Sequence, residues 1–212
     1  MRILFVDGIG GARAWRSALL RRLRDSGHEA SHFSYWTPFH DFHAIQERLA
    51  AIVERLSQQG DYAIVGYSFG GVLARSVLCS ARPGLAPPSH LFLLGSPIRA
   101  LRSVQLFRNC ILYRLLTGDC GQQAASARRM RQVGRPPVPT TCITGIVGTF
   151  GLLSFRARGG PHDGLMYVSE ACPQAHADSV QVPECHALLP SHPAVAALIV
   201  DRLRGGGRSA AG

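Results

Sequence analysis

The sequence contains no lysine and no paired Cys-x-x-Cys spacing. All 23 basic residues are arginines, which we attribute to genomic composition, and against 13 acidic residues they give a net charge of +10. That charge predicts affinity for anionic surfaces or substrates, although we do not expect nucleic acid to be a partner. The cysteine spacing argues against a zinc knuckle, and without an export signal we expect six reduced thiols (Cys79, Cys110, Cys120, Cys142, Cys172 and Cys185).

Long uninterrupted apolar segments are also missing. The chain reaches a turn at Asp7-Gly8 before the apolar part of a secretory signal could be completed. We therefore expect a cytoplasmic protein, or one peripheral to a membrane. Residues 136–155 carry no charge and have the length of a transmembrane helix, but three prolines and three glycines interrupt them. We expect a strand and a loop there.

The length and composition suit one hydrophobic core. With 212 residues, 46% of them hydrophobic, the chain is about the size of one domain. Short apolar runs predict strands at 2–6, 28–35, 61–66, 90–94, 138–144 and 178–182. Helical patterns between them predict helices at 12–26, 41–59, 72–80 and 193–204. This alternation predicts an α/β fold: an open, mostly parallel sheet of about six strands with helices on both faces, over residues 1–204, followed by a disordered tail at 205–212.

Residues 98–135 depart from this alternation. Apolar residues recur at helical spacing (Val104, Phe107, Ile111 and Leu115), and a more polar helix is expected at 119–133. Residues 99–135 contain eight arginines and one acid, Asp119. We expect a helical, cap-like insertion that lies on an anionic interface, either a membrane surface or a phosphorylated acyl carrier. The alternative is a solvated pair of crossover helices packed on the sheet.

The segment Gly66-Tyr67-Ser68-Phe69-Gly70 joins a predicted buried strand to a predicted helix. At such a turn a serine takes a strained backbone conformation that lifts its hydroxyl above the sheet, and glycines prevent collisions between β-carbons and neighbouring backbone. Ser68 is therefore the candidate nucleophile. The alternative is a glycine-rich turn in which the serine only caps the helix.

A serine nucleophile needs a base, and His186 is the candidate. In an open parallel sheet, ligand-facing groups lie in loops after the carboxyl ends of strands, and His186 follows the last predicted strand. His192 is expected to cap the last helix, His90 stands at the entry of a strand, and His28 and His32 lie within one. The alternative is that His186 is an ordinary loop histidine.

Asp163, in Pro161-His162-Asp163-Gly164, is the candidate acid that orients this base. An aspartate before a glycine suits a carboxylate presented from a loop, although Asp-Gly is also a common turn dipeptide. Asp119 and Asp178 are the alternatives, and Asp178 opens a strand at the wrong end of the sheet. The candidate oxyanion donors are the backbone N–H groups of Ile9, after the first strand, and Phe69, next to the serine.

Together these motifs resemble the α/β-hydrolase superfamily, and within it the small bacterial lipases and esterases. The resemblance rests on five stretches in the expected order: Val6-Asp7-Gly8-Ile9-Gly10-Gly11, Gly66-Tyr67-Ser68-Phe69-Gly70-Gly71, Gly95-Ser96-Pro97, Asp163-Gly164, and His186 followed by Leu188-Leu189. It implies a six-stranded core, hydrolysis of acyl esters without a cofactor or metal, and a triad of Ser68, Asp163 and His186. Asp7 departs from the family, whose members usually have histidine there.

The leading functional hypothesis is a serine hydrolase that cleaves a small-molecule acyl ester or lipid through an acyl-enzyme. The closest alternative is an acyl thioesterase or acyltransferase with the same triad, whose basic segment receives a phosphorylated carrier. A catalytically silent hydrolase fold that binds an anionic partner is the alternative from another class.

Overall fold

The computed structural model describes residues 1–11, 13–80, 82–148, 160–172 and 178–206, with the backbone alone at 13–15 and 206. Within these ranges six strands form one sheet: β1 (Arg2–Val6), β2 (Glu29–Phe33), β3 (Tyr62–Tyr67), β4 (His90–Leu94), β5 (Thr140–Gly145) and β6 (Asp178–Val182). Their order is β2-β1-β3-β4-β5-β6, and every neighbouring pair is parallel. The expectation of an open, six-stranded and mostly parallel sheet is confirmed.

Helices connect these strands. They are α1 (Arg13–Asp25), α2 (Phe42–Gln58), α3 (Phe69–Cys79), α4 (Arg102–Gln105), α5 (Ile111–Ala125), α6 (Ala127–Gln132), α7 (Val168–Ala171) and α8 (Pro193–Gly206). Two 3₁₀ turns, Thr37–Phe39 and Leu189–Ser191, precede α2 and α8. The prediction of a tail from residue 205 is wrong for Gly205 and Gly206, which belong to α8, and the rest of the predicted tail lies outside the described residues.

The sheet is covered on both faces. Successive residues of a strand point to opposite faces, so neighbours in sequence enter different cores. Ile64 and Leu91 belong to the core formed with α2 and α3, whereas Val65 and Phe92 belong to the core formed with α1 and α8. Burial on both faces explains why β3 and β4 are continuously apolar instead of alternating.

The segment between β4 and β5 differs from its prediction. The stripe from Val104 to Leu115 does not lie on one helix, because α4 ends at Gln105 and α5 begins at Ile111. Val104 is buried, whereas Ile111 and Leu115 are exposed. The periodicity spans two helices by coincidence, since residues 106–110 turn between them.

The second helix predicted in this segment is also divided differently. Its first part is the end of α5, and α6 supplies the remainder. Gly118 interrupts α5 with φ 55° and ψ −146°, which separates an exposed first half from a second half that includes buried Cys120 and Ala124. Within the described residues, no helix is long and apolar enough to cross a membrane.

Candidate active site

Ser68 stands at the turn between β3 and α3. Its φ of 51° and ψ of −125° make it the one non-glycine residue with positive φ in the described part of the chain. Such a conformation costs about 1–3 kcal/mol and persists because the surroundings fix it. The Ser68 N–H donates to the Leu94 carbonyl of β4 at 2.9 Å. A β-carbon on Gly66 would lie 2.4 Å from the Gly71 Cα, so glycine at this position permits the close crossing of strand and helix.

His186 reaches this serine from the loop after β6. Its Nε2 lies 3.1 Å from Ser68 Oγ, a hydrogen-bonding distance. The His186 N–H donates to the Asp163 carbonyl at 2.9 Å, which joins the two loops directly. The serine and the imidazole thus meet at the carboxyl edge of the sheet, as the placement after strand ends predicted.

Asp163 holds the other side of the imidazole. Its Oδ2 lies 2.7 Å from His186 Nδ1, and its side chain is 1% exposed. Its Oδ1 accepts hydrogen bonds from the N–H groups of Leu165, at 3.0 Å, and Met166, at 2.9 Å. A carboxylate facing Nδ1 requires a proton on that nitrogen, which leaves the Nε2 lone pair facing Ser68 in the neutral ring.

Tyr67 packs against the His186 imidazole, a contact that the sequence analysis did not predict. Its ring stacks on that of His186 with centroids 5.3 Å apart, and its hydroxyl donates to the His186 carbonyl at 3.1 Å. Burial, with a smaller effect from nearby Asp163, raises the pKa of Tyr67 well above its ordinary value, so the hydroxyl stays a donor. Its position next to Ser68 in the Gly-x-Ser-x-Gly motif is the feature of the sequence that could have indicated it.

The rival candidates have other partners. Asp178 pairs with Arg202 at 2.5 Å, and Asp119 pairs with Arg129 at 2.6 Å. Nδ1 of His192 accepts from the backbone of α8 at 3.3 Å, which agrees with its expected role as a cap. The structure therefore brings together Ser68, Asp163 and His186 and gives these alternatives separate structural contacts.

The loop formed by residues 7–11 lies directly on the serine turn. A β-carbon on Gly8 would stand 2.9 Å from Ser68 Cβ, and Ile9 follows on the same loop. Phe69 is the first residue of α3, so its N–H has no acceptor within the helix. Both candidate oxyanion donors thus belong to segments adjoining Ser68.

Solved structures with the same architecture cover almost the whole chain. A metagenomic carboxyl esterase has a TM-score of 0.75 at 14% identity, covering 99% of this chain and 76% of that one. The thioesterase RedJ from the prodiginine pathway of Streptomyces coelicolor has a TM-score of 0.59 at 18% identity, covering 97% and 85%. An esterase from Thermogutta terrifontis has a TM-score of 0.54 at 16% identity, covering 97% and 90%. The chain has the α/β-hydrolase fold. No family model and no curated protein matches its sequence.

Asp7 occupies a position where the resemblance led us to expect histidine. It forms an ion pair with Arg16, and Ser34 Oγ donates to the same carboxylate oxygen at 2.5 Å. Asp7 and Arg16 are 2% and 7% exposed, so each buried charge is compensated by the other. In this version of the α/β-hydrolase fold, an ion pair from α1 therefore anchors the loop at 7–11. Arg16 was missed because it lies among the arginines of an amphipathic helix.

A cavity of 590 Å³ opens beside the same loop. Its wall includes Ile9, Tyr35, Trp36, Leu116 and the Arg16 side chain. The cavity is thus mainly apolar and adjoins the candidate oxyanion loop.

Across the described ranges, no group of three or more histidine, cysteine or acidic side chains is arranged to hold a metal ion.

Proposed function

We propose that the protein is a serine hydrolase that cleaves acyl esters of small molecules. The observation that carries this proposal is the continuous chain of contacts from Ser68 Oγ to His186 Nε2, at 3.1 Å, and from His186 Nδ1 to Asp163 Oδ2, at 2.7 Å. This arrangement supports roles for Ser68 as nucleophile, His186 as base and Asp163 as the acid that orients the base, as acyl transfer requires. The strained serine turn adds support, because backbone strain of this kind clusters at functional sites.

In the proposed reaction, Ser68 Oγ attacks the acyl carbon while its proton passes to His186 Nε2. Asp163 keeps Nδ1 protonated and stabilises the imidazolium that forms. The N–H groups of Ile9 and Phe69 would bind the oxyanion of the tetrahedral intermediate. The intermediate collapses as His186 returns the proton to the leaving alcohol, which leaves an acyl-enzyme.

The second half of the proposed reaction repeats these steps with water. His186 takes a proton from a water molecule, whose oxygen attacks the acyl carbon of the ester on Ser68. When this second intermediate collapses, the proton returns to Ser68 Oγ and the carboxylic acid leaves.

An acyl substrate suits the cavity next to the oxyanion loop. Its apolar wall can remove a hydrocarbon chain from water, which favours binding in proportion to the area buried. Two of the similar structures are named as a carboxyl esterase and a thioesterase. These names support acyl hydrolysis, and assays must distinguish an oxygen ester from a thioester.

The test compares hydrolysis of p-nitrophenyl esters of increasing chain length with that of an acyl thioester. Ser68→Ala should lower kcat at least about a thousandfold and leave thermal unfolding unchanged, because the hydroxyl alone is lost. His186→Ala should inactivate the protein, whereas the matched control His192→Ala should retain activity. Activity that survives in Ser68→Ala, or that depends on His192 instead of His186, would refute the assignment.

A further inference from the structure

An apolar surface lies exposed where the first half of α5 meets the 3₁₀ turn before α2. We call it the α5 apolar surface, and its six large side chains are each between 61% and 81% exposed: Trp36, Phe39, Ile111, Leu112, Leu115 and Leu116. Isolated exposed apolar residues are common on soluble proteins, but contiguous groups of this kind mark interaction sites.

These side chains form one surface because the two segments are joined. Thr37 Oγ1 donates to the Leu116 carbonyl at 3.0 Å, and a β-carbon on Gly118 would lie 2.3 Å from the Thr37 carbonyl oxygen. Trp36 and Leu116 line the same cavity wall. The exposure is therefore a feature of packed elements and not of a frayed helix end.

The chain segment that carries α5 has charge of one sign. Residues 99–118 contain four arginines and no acidic residue. Arg108 precedes α5 and Arg114 lies within its exposed half, and in the described part of the chain neither forms an ion pair. Of the acids next to the two segments, Asp119 pairs with Arg129, and Asp41 is an exposed carboxylate that caps α2. The two arginines without an ion pair therefore outnumber this one exposed acid.

We propose that the α5 apolar surface docks on an anionic phospholipid membrane. Leucine and isoleucine beside arginine, with tryptophan at the edge, is the composition of helices that lie in the headgroup region. Anionic headgroups attract the arginines, and transfer of the apolar side chains from water into the membrane is favourable. A second copy of this chain fits less well, because a symmetric contact would bring the same arginines together.

The surface continues into the cavity beside the loop at 7–11, through Trp36 and Leu116. Docking would therefore place the cavity mouth at the lipid interface, from which an acyl substrate could enter without crossing water. This role in substrate supply rests on the proposed function, whereas membrane binding itself does not.

The test measures co-sedimentation of the full chain with phosphatidylcholine vesicles, with and without phosphatidylglycerol. All proteins carry Ser68→Ala, so that hydrolysis of lipid does not complicate binding. Leu112→Ser with Leu115→Ser removes two exposed apolar side chains that are not part of the wall of the cavity beside the loop at 7–11. Arg108→Gln with Arg114→Gln removes two charges at the surface, and Arg21→Gln with Arg55→Gln removes two exposed charges elsewhere as a matched control.

The parent should bind vesicles that contain phosphatidylglycerol and release them as salt rises. The leucine pair and the local arginine pair should each weaken binding about tenfold or more, and the control pair much less. Circular dichroism checks that each variant is folded, and with Ser68 restored the leucine pair should hydrolyse a soluble short ester at the parent rate.

Three results would overturn the proposal: no binding by the parent, equal binding to both kinds of vesicle, or equal losses in the local and control arginine pairs. Self-association of the parent that the leucine pair abolishes would assign the surface to a second copy and also overturn it. Vesicle binding without ester hydrolysis would leave docking intact and refute the proposed function, so the two ideas fail separately.

Discussion

Replacing Asp163 by asparagine tests whether the carboxylate determines which ring nitrogen of His186 carries the proton. Oδ1 of Asp163 accepts from two backbone N–H groups, those of Leu165 and Met166, at 3.0 and 2.9 Å. The amide oxygen of asparagine must take this position, because an NH₂ group there would face two donors. The NH₂ group then faces His186 Nδ1, which can only accept. The ring proton moves to Nε2, opposite Ser68.

With a proton on Nε2, the imidazole cannot take the proton of the serine hydroxyl. An equivalent change in a serine protease lowers kcat about 10⁴-fold, and we expect a loss of that order for Asp163→Asn. This corresponds to about 5.5 kcal/mol of transition-state stabilisation. KM should change little, and the free energy of unfolding should fall by no more than about 1–2 kcal/mol, because the backbone hydrogen bonds of the loop remain.

The assay measures kcat and KM for a soluble p-nitrophenyl ester, with urea unfolding of each variant in parallel. Asp163→Ala serves as the comparison, because it also removes the acceptor for Leu165 and Met166 and should be less stable than Asp163→Asn. If Asp163→Asn keeps kcat within about tenfold of the parent, the carboxylate does not determine which ring nitrogen of His186 carries the proton. A loss of activity that follows a loss of folded protein would also rule out this role for Asp163.

Three further predictions concern contacts around the site and the fold. A β-carbon on Gly95, whose φ is 51°, would lie 3.1 Å from two atoms of the His186 ring, so Gly95→Ala should lower kcat about a hundredfold; unchanged kcat would show that the ring has room. Arg16→Met leaves Asp7 buried without its cation and should lower the free energy of unfolding by about 3–5 kcal/mol in urea, and a loss below about 1 kcal/mol would contradict this. The hydrogen bond from Arg129 lowers the pKa of Asp119 below its ordinary value of 3.8. The pair therefore stabilises the folded protein above pH 3.8, and this stabilisation disappears as the pH falls through the lower pKa of the folded state. Asp119→Asn should therefore cost up to about 1 kcal/mol at neutral pH and nothing in strong acid, and a difference independent of pH would disprove the linkage.

The sheet and the three polar candidates could be predicted because short-range patterns determine them. Buried parallel strands are continuously apolar, as β3 and β4 are, and their carboxyl ends meet at one edge of the sheet. Loops after separate strands therefore bring Ser68, Asp163 and His186 together, although Asp163 and His186 are far from Ser68 in the sequence. Chain order and strand ends were sufficient for this inference.

Other features depend on tertiary contacts that no local pattern carries. The apolar spacing from Val104 to Leu115 cannot show that the helix breaks between them, because periodicity does not report continuity of the backbone. The pairing of Asp7 with Arg16 requires the packing of α1 against the loop after β1. Tyr67 acquires its contact with His186 from a loop that follows another strand.

Labelling with a fluorophosphonate probe shows directly whether Ser68 is an activated nucleophile. The probe reacts with a serine hydroxyl that an adjacent base has activated, so it reports the chemistry without knowledge of the substrate. We expect peptide mapping by mass spectrometry to find the phosphonate on Ser68. Labelling should be lost in Ser68→Ala and His186→Ala and persist in His192→Ala. No labelling of the folded protein, or labelling of another residue, would mean that Ser68 is not the nucleophile.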